Sequence, residues 1–449
     1  MSNPLIALEA FLASHPSISY ISPSSPDFAA AREVWNRARR DHPLAVVQPQ
    51  SPADVGLLVN FAKSQSLPFT FRVGGHNTEG RSVVENALLI DLRALKSITV
   101  APDRQSATVQ GGILQGELAN ALWTEGLATP TGALPSVGYA GWAMYGGYGP
   151  FSSHWGLGVD QILGATVMNA DGIRGAGGLF GAVIDLTIKV YPLTNLLAGS
   201  IIYDSTDIAK TFMDFNAAYD QLLHSEDLPP QLTLQQVAFN GPPGRVFAVS
   251  FTWSGEDTKQ GQRWSARIAG FAPSIMNTVS ITTIPDWLGG NGAHIPHEVS
   301  GSAFSHSLAR LPSTVTETIG HHLARLPADP GAMFSIHQLR GPSATPQSHS
   351  SVFVARQPHY MLEILGFATD EKVQERSERW ALDMAIDVKQ VGSEYMLPTS
   401  YVSLYNTNQA TSAAEAVDNV YGSKVEVLRD LKVKFDPENV FGLAIPALK

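Results

Sequence analysis

The sequence predicts an α+β protein of two closely built domains, the second a sheet with helical cover. Three observations predict it. The 449 residues are about three times the commonest domain size, so one core does not suffice. Strand-like and helix-like segments alternate along the chain. After the strand-like run ending at Pro192 the character changes: three glycine-rich clusters precede it, and longer strands interleaved with helices follow. The expected division is residues 1–195, residues 196–412, and a tail of residues 413–449 that docks back on the body.

Composition narrows the function. Hydrophobic residues make up 44% and charged residues 16%, which suits a chain with a sizeable core and excludes global disorder. The formal net charge is −10, with no basic run of five, so nucleic acid and anionic membranes are poor partners. Cysteine is absent, which removes disulfides, thiolate nucleophiles and zinc fingers. The first twenty residues lack a basic n-region and carry Glu9 inside their apolar stretch, an amphipathic start rather than a secretory signal. With no apolar run of about eighteen residues, a cytoplasmic protein is expected.

Ser51-Pro52-Ala53-Asp54 sets a hydroxyl at the N-cap, proline at the first helical position and an acid in the first turn. With Val55, Leu58, Phe61 and Ala62 on one face, a helix is expected from Pro52 to Ser66. Leu67 to Val73 then reads as a strand ending in Gly74-Gly75, and Ala87 to Leu92 as another. Gly116 to Glu125 reads as a helix stopped by Gly126, and Val183 to Tyr191 as a strand. Beyond the boundary, helices are expected over Ala209 to Leu223, Gln262 to Phe271 and Glu371 to Val388. Strands are expected over Val246 to Trp253, Met333 to Leu339 and Tyr360 to Phe367. The tail reads as one charged amphipathic helix, Ala413 to Lys434, followed by a turn through Asp436-Pro437.

The glycine clusters carry the chemistry. They are Arg72-Val73-Gly74-Gly75-His76-Asn77, the segment from Gly132 to Gly149, and Gly172 to Gly181. Successive N–H groups in a glycine turn can converge on phosphate oxygens, because glycine tolerates positive φ and removes the side chain that would block approach. Each cluster alone reads equally as a set of tight turns; together, with His76 at the mouth of the first, they point to a cofactor. There is no GxxxxGK[ST] and no GxGxxG between a strand and a helix, which argues against a nucleotide triphosphatase and an ordinary Rossmann site. HExxH and GxSxG are absent, so metal and serine hydrolysis find no support. His321-His322, His294 and His297 read as surface histidines, and no metal is expected.

The ordered set resembles a known family. PQSPADVGLLVNFAKSQSLPFTFRVGGHN, LIDLRALKSI, TGALPSVGYAGWAMYGGYG with WGLGVDQILGATVMNADG, and GAGGLFGAVIDLTIKVYPL are similar to the FAD-binding PCMH-type domain of the vanillyl-alcohol oxidase superfamily, in its berberine-bridge-enzyme-like branch. YVSLYNTN and YGSKVEVLRDLKVKFDPENVF resemble that branch's closing signature. The resemblance implies a two-subdomain FAD-binding fold plus a substrate domain with an antiparallel sheet covered by helices.

It also implies site residues. His76 matches the histidine linked to the 8α-methyl of FAD, with Arg72, Val73, Gly74, Gly75, Asn77 and Thr78 around the pyrophosphate. Many relatives add a second link from a cysteine, but here Leu134 stands in its place, so one covalent bond is expected. Ser136, Val137, Gly138, Gly141, Gly146, Gly147, Tyr148 and Gly149 match positions along the flavin ring and phosphates, and Val183 a position on the adenine side. In relatives a valine at the place of Val137 tends to leave room for dioxygen, which favours an oxidase; ordinary packing is the alternative reading. Relatives carry about a dozen more residues between Gly172 and Ile173, the length of a long loop.

For catalysis, alternation on the strand Met333 to Leu339 puts Ser335 and His337 on one face and Gln338 on the other. His337 and Gln338 are competing candidates, since one face should look at the flavin. Tyr395, Tyr401 and Tyr405 precede the closing helix, where relatives place residues covering the flavin and sometimes a phenolic base, with ordinary packing as the alternative reading, and Tyr148 is a further candidate contact. Where many relatives have Asn in a YxN segment, this chain has Ser403. The expected activity is oxidation of a small alcohol, amine or phenol-type molecule in specialised metabolism, with electrons passed to dioxygen and hydrogen peroxide released. The alternatives are an oxidative cyclase that uses the same pocket for ring closure, and a catalytically quiet flavin-binding protein.

Overall fold

The computed structural model describes residues 3–168, 179–242, 244–345, 351–406, 412–443 and 448. Of the third glycine cluster, Gly172 to Gly178, with the junction at Ile173, lie outside the described residues.

The N-terminal part builds two small sheets. In one, Ala45–Gln48, Leu88–Asp91 and Phe69–Arg72 run parallel, with Ser19–Ile21 antiparallel at the edge. The helix Pro52–Ser64 supplies the crossover, started by the Ser51 hydroxyl accepting from the Asp54 N–H. Its Val55, Leu58, Val59 and Ala62 pack on Val47, Leu88 and Ile90. The second sheet is antiparallel, in the order Ile98–Val100, Ser106–Gln110, Ala182–Lys189, Ile162–Met168. The helix Gln115–Thr124 covers it through Leu118 and Leu122.

The parallel register puts Arg72 opposite Asp91. Arg72, only 2% exposed, donates to Asp91 Oδ2 at 2.7 Å and to the Glu33 carbonyl at 2.9 Å. Burial pushes the Asp91 carboxyl up, but hydrogen bonds and charge from Arg93 and Arg72 outweigh it and hold the pKa at about 2. The stabilisation is complete above the ordinary carboxylate range and is lost as pH falls through about 2. Arg72→Met leaves a buried carboxylate with the more exposed Arg93 and with Gln48 but without its one buried cationic partner among the described residues. The expected cost is about 3 kcal/mol, the lower end for breaking a buried pair, and urea unfolding at pH 7 measures it.

The C-terminal part is built on one antiparallel sheet of eight strands. Its path is Ser274–Asn277, Leu196–Tyr203, Gly244–Trp253, Leu232–Gly241, Ala332–Leu339, His359–Ala368 and Ser300–Leu308, with Ser280–Thr282 also on Leu196–Tyr203. The helices Ile208–Ser225, Thr258–Ala269, Ser313–Leu323 and Glu371–Val391 cover one face, where Phe212, Phe215, Ile319, Trp380 and Met384 meet Phe247, Phe334, Ile336 and Ile364. The other face is polar near its middle and turns toward the glycine loops.

Two expectations are corrected. The tail is two helices, Ala413–Tyr421 and Val425–Phe435, because Gly422 takes φ +48° between them, a conformation that breaks a right-handed helix. His322 is buried rather than on the surface: its Nε2 lies 2.9 Å from Asp387 and its carbonyl accepts from the Trp380 indole. The second tail helix buries Lys432, whose ammonium donates to the Leu179 carbonyl at 2.8 Å and pairs with Asp436 at 2.6 Å. The tail is thereby fastened to Leu179, just before the strand Ala182–Lys189.

Candidate active site

The first wall is backbone. Beyond Arg72 the chain turns at Gly75, with φ +69°, and lies directly on the second glycine segment. A Cβ on Gly74 would fall 2.5 Å from the Gly138 nitrogen and the Ser136 carbonyl oxygen, and one on Gly138 would fall 2.7 Å from Val73 Cγ1. Only glycine permits this approach, so the two loops form one ledge. Asn77 braces the first loop by accepting from the Glu79 and Arg81 N–H groups at 3.1 Å each. The buried Thr78 donates to the Ser403 carbonyl at 3.5 Å. The second segment continues through the short helix Tyr139–Met144 and turns at Gly146 and Gly147, both at positive φ. The Gly149 backbone lies against that of Thr131.

His76 stands on this ledge. Its Nε2 is 2.9 Å from Ser136 Oγ, and its ring stacks at 5.8 Å on Trp35. Burial, with the charge of His297 added, lowers its pKa to about 4, so the imidazole is neutral at neutral pH. Val137 is half-buried, its carbonyl accepting from Gln115 at 2.9 Å. Leu134 is also half-buried, and the place of a Cβ on Gly141 is open. Val183 is buried in the strand Ala182–Lys189, behind the second segment. These features fit a flavin dinucleotide: backbone that a phosphate can approach, and a neutral imidazole beside it.

The second wall is the polar face of the large sheet. Alternation sends Gln338 to the helical side, where it accepts from the Tyr219 hydroxyl and its amide lies 3.4 Å from the Tyr360 hydroxyl. His337 points the other way. Its Nε2 lies 3.3 Å from Glu363 Oε2 and 3.1 Å from the Gln235 side-chain amide, and Ser335 donates to the same Glu363 oxygen at 2.5 Å. The strand registers explain the cluster: Gln235 pairs with His337 and Ser335 with Glu363, all on one face. Burial pushes the Glu363 carboxyl up, but the charge and hydrogen bond of His337 and the Ser335 hydroxyl outweigh it, so it stays ionised below the usual glutamate range.

Aromatic residues close the space between the walls. Tyr148, from the second glycine segment, is buried edge-on against Tyr401 at 4.7 Å and His337 at 6.2 Å. The Tyr148 hydroxyl lies 3.4 Å from His359 Nε2, while His359 Nδ1 lies 2.7 Å from the Gln357 carbonyl. A carbonyl only accepts, so Nδ1 carries the proton and Tyr148 donates. Burial raises the pKa of both Tyr148 and Tyr401, and the nearby Glu363 charge adds to it. Gly149, Pro150, Thr233, Gln235 and His337 line a small cavity beside them.

The structure thus brings together Tyr148, His337 and Tyr401. It sets Gln338 on the opposite side of the sheet. Tyr405 lies in the tail cluster with Val417 and Leu428, its hydroxyl accepting from Asn419 at 3.1 Å, and Tyr395 sits against the helical core. The residue the sequence reading passed over is Glu363. Its signal was a single acid at the centre of the apolar run HYMLEILGFA. Among the described residues no group of three or more His, Asp or Glu is placed to hold a metal, and no helix is long and apolar enough to cross a membrane.

Comparison with known proteins agrees with this geometry. Residues 43–174 match the model of the FAD binding domain family. The chain is 27% identical over 443 residues to the FAD-linked oxidoreductase aurO of Gibberella zeae, covering 95% of this chain and 85% of that protein. It is 25% identical over 446 residues to (R)-6-hydroxynicotine oxidase of Paenarthrobacter nicotinovorans, covering 94% of each. The structure of Physcomitrella patens BBE-like 1 shares the fold, with a TM-score of 0.80 at 19% identity over 98% of this chain and 99% of that one. An FAD-binding domain with an open glycine ledge, joined to a polar-faced sheet and matched along most of its length by proteins named FAD-linked oxidoreductase and oxidase, makes the chain an FAD-dependent oxidoreductase with the fold seen in BBE-like 1.

Proposed function

We propose that the protein is an oxidase that holds FAD through a covalent bond from His76, oxidises a small alcohol, amine or phenol-type molecule, and passes the electrons to dioxygen with release of hydrogen peroxide. The observation that carries this reading is the ionised Glu363 on the wall facing the glycine ledge, held by His337 and Ser335. When bound, FAD takes the hydride equivalent of a substrate C–H bond and hands its electrons on. The accompanying O–H or N–H proton needs an acceptor, and the Glu363 carboxylate is a base within a largely buried site. His337 and Ser335 fix its orientation, while Tyr148 and Tyr401 exclude water and offer ring faces and hydroxyls to the substrate. Leu134, in a chain without cysteine, leaves His76 as the point of attachment.

Dioxygen enters the proposal through Val137, whose match in relatives lies over the reactive edge of the ring, and through the likeness to a protein named an oxidase. Val137→Leu is expected to slow reoxidation of the reduced protein about tenfold, the equivalent of about 1.4 kcal/mol, with anaerobic reduction unchanged. Stopped-flow absorbance in the two half-reactions separates the effects. The reading itself is tested by screening alcohols, amines and phenols for oxygen uptake with equimolar peroxide and for anaerobic bleaching of the flavin. Turnover without flavin reduction would replace oxidation with ring closure, and a flavin that dithionite bleaches but no substrate does would remove the catalytic role.

A further inference from the structure

Arg81 holds its guanidinium out of water with no anion beside it among the described residues. Its Nε, Nη1 and Nη2 are all shielded from solvent, and none has a hydrogen-bond partner among the described residues. Other buried guanidiniums are matched: Arg72 with Asp91, Arg356 with Asp160, and Arg340 with the carbonyls of Leu228, Pro229 and Leu232. An unpaired buried charge is unfavourable by several kcal/mol, so a side chain kept in this state is built for a partner that the described residues do not supply.

The position says what the partner is. Arg81 ends the loop that begins at Arg72: its N–H is held by Asn77, and its carbonyl accepts from the Thr70 hydroxyl. The guanidinium carbon lies 4.8 Å over the ring of Tyr145, the residue between the helix Tyr139–Met144 and the Gly146-Gly147 turn. The buried Tyr421 hydroxyl, likewise unpartnered, shares this environment with Arg81 and Tyr145. The cation therefore sits where the first glycine loop, the second glycine segment and the tail converge. The glycine loops offer N–H dipoles and carry no lysine, whereas a diphosphate brings two negative charges that a planar guanidinium can meet with paired hydrogen bonds.

We infer that Arg81, flanked by Tyr145 and Tyr421, is the cationic ligand of the flavin's diphosphate. The inference rests on FAD binding by this domain and is independent of the covalent bond. It is tested in a His76→Ala background, where the flavin exchanges; should wild-type protein already release its flavin in acid, the same titrations use wild type, and the two failures stay distinct. Arg81→Met is expected to weaken FAD about ten- to hundredfold, the range for a charged hydrogen bond, with riboflavin unaffected and Arg81→Lys recovering part of the loss. Flavin-free Arg81→Met is expected to melt at or above its parent, because the bare charge is gone, while the FAD-bound variant melts below its own parent. If Arg81→Met does not fold, Arg81→Gln takes its place.

Three results overturn the inference. FAD affinity unchanged, or FAD and riboflavin weakened equally, removes the diphosphate contact. Equal loss of melting temperature with and without FAD leaves a packing role on Tyr145 alone. Stabilisation of FAD-saturated protein by inorganic phosphate that disappears in Arg81→Met assigns the site to a free anion instead.

Discussion

Glu363→Gln is expected to slow anaerobic flavin reduction by substrate about a hundred- to ten-thousandfold, the usual contribution of a positioned base. The amide keeps the size of the side chain and its place between Ser335 and His337, so FAD content and reoxidation by dioxygen should stay as in the parent. The base form of Glu363 is lost on protonation, and its pKa lies below the ordinary 4.5. Reduction should therefore hold its rate down to that range and fall only below it. His337→Asn removes the charge and hydrogen bond that oppose burial, so the acid limb should move up past 4.5 while the carboxylate remains. Stopped-flow reduction of both variants from pH 4 upward decides the matter: an unshifted limb in His337→Asn, or full reduction in Glu363→Gln, rules out Glu363 as the base.

What could be read from the sequence divides along a physical line. The glycine ledge was legible because backbone contact at Gly74 and Gly138 admits no Cβ, so the requirement is written into residue type. The strands flanking His76 were legible as short apolar runs, buried on both faces and bounded by turn residues, and the helix Glu371–Val391 because one-sided burial imposes a period on the chain. The base was not, because nothing local marks it. Glu363 becomes an acid with a purpose only when Ser335 and His337 arrive from a neighbouring strand and Gln235 from the next. The choice between His337 and Gln338 had the same origin: alternation separates the faces, but only the helix carrying Tyr219 says which one is covered. The strand Leu232–Gly241 escaped notice because LTLQQVAFNG mixes amides into both faces, one of which, Gln236, is satisfied by a buried amide pair with Asn216. His322 was read as exposed because Asp387 and Trp380 lie on a later helix.

His76→Ala is expected to abolish acid-stable flavin altogether. Wild-type protein precipitated in acid should carry near-stoichiometric flavin in a yellow pellet, and the variant should leave all of it in the supernatant. The loss should be complete rather than partial, because Leu134 stands where relatives supply a second attachment and the chain has no cysteine. Bond formation at carbon requires the lone pair of a neutral imidazole, and burial beside His297 holds His76 in that form down to about pH 4. Attachment to flavin-free protein should therefore proceed at constant rate through neutral pH and fail as pH approaches about 4, the reverse of an exposed histidine, which would already be half protonated near 6.5. Ser136, 2.9 Å from Nε2, holds the ring in register, so Ser136→Ala should slow attachment without preventing it. Acid-stable flavin in His76→Ala would move the bond to another residue, and a colourless wild-type pellet over a yellow supernatant would leave His76 as a neutral contact of a dissociable cofactor.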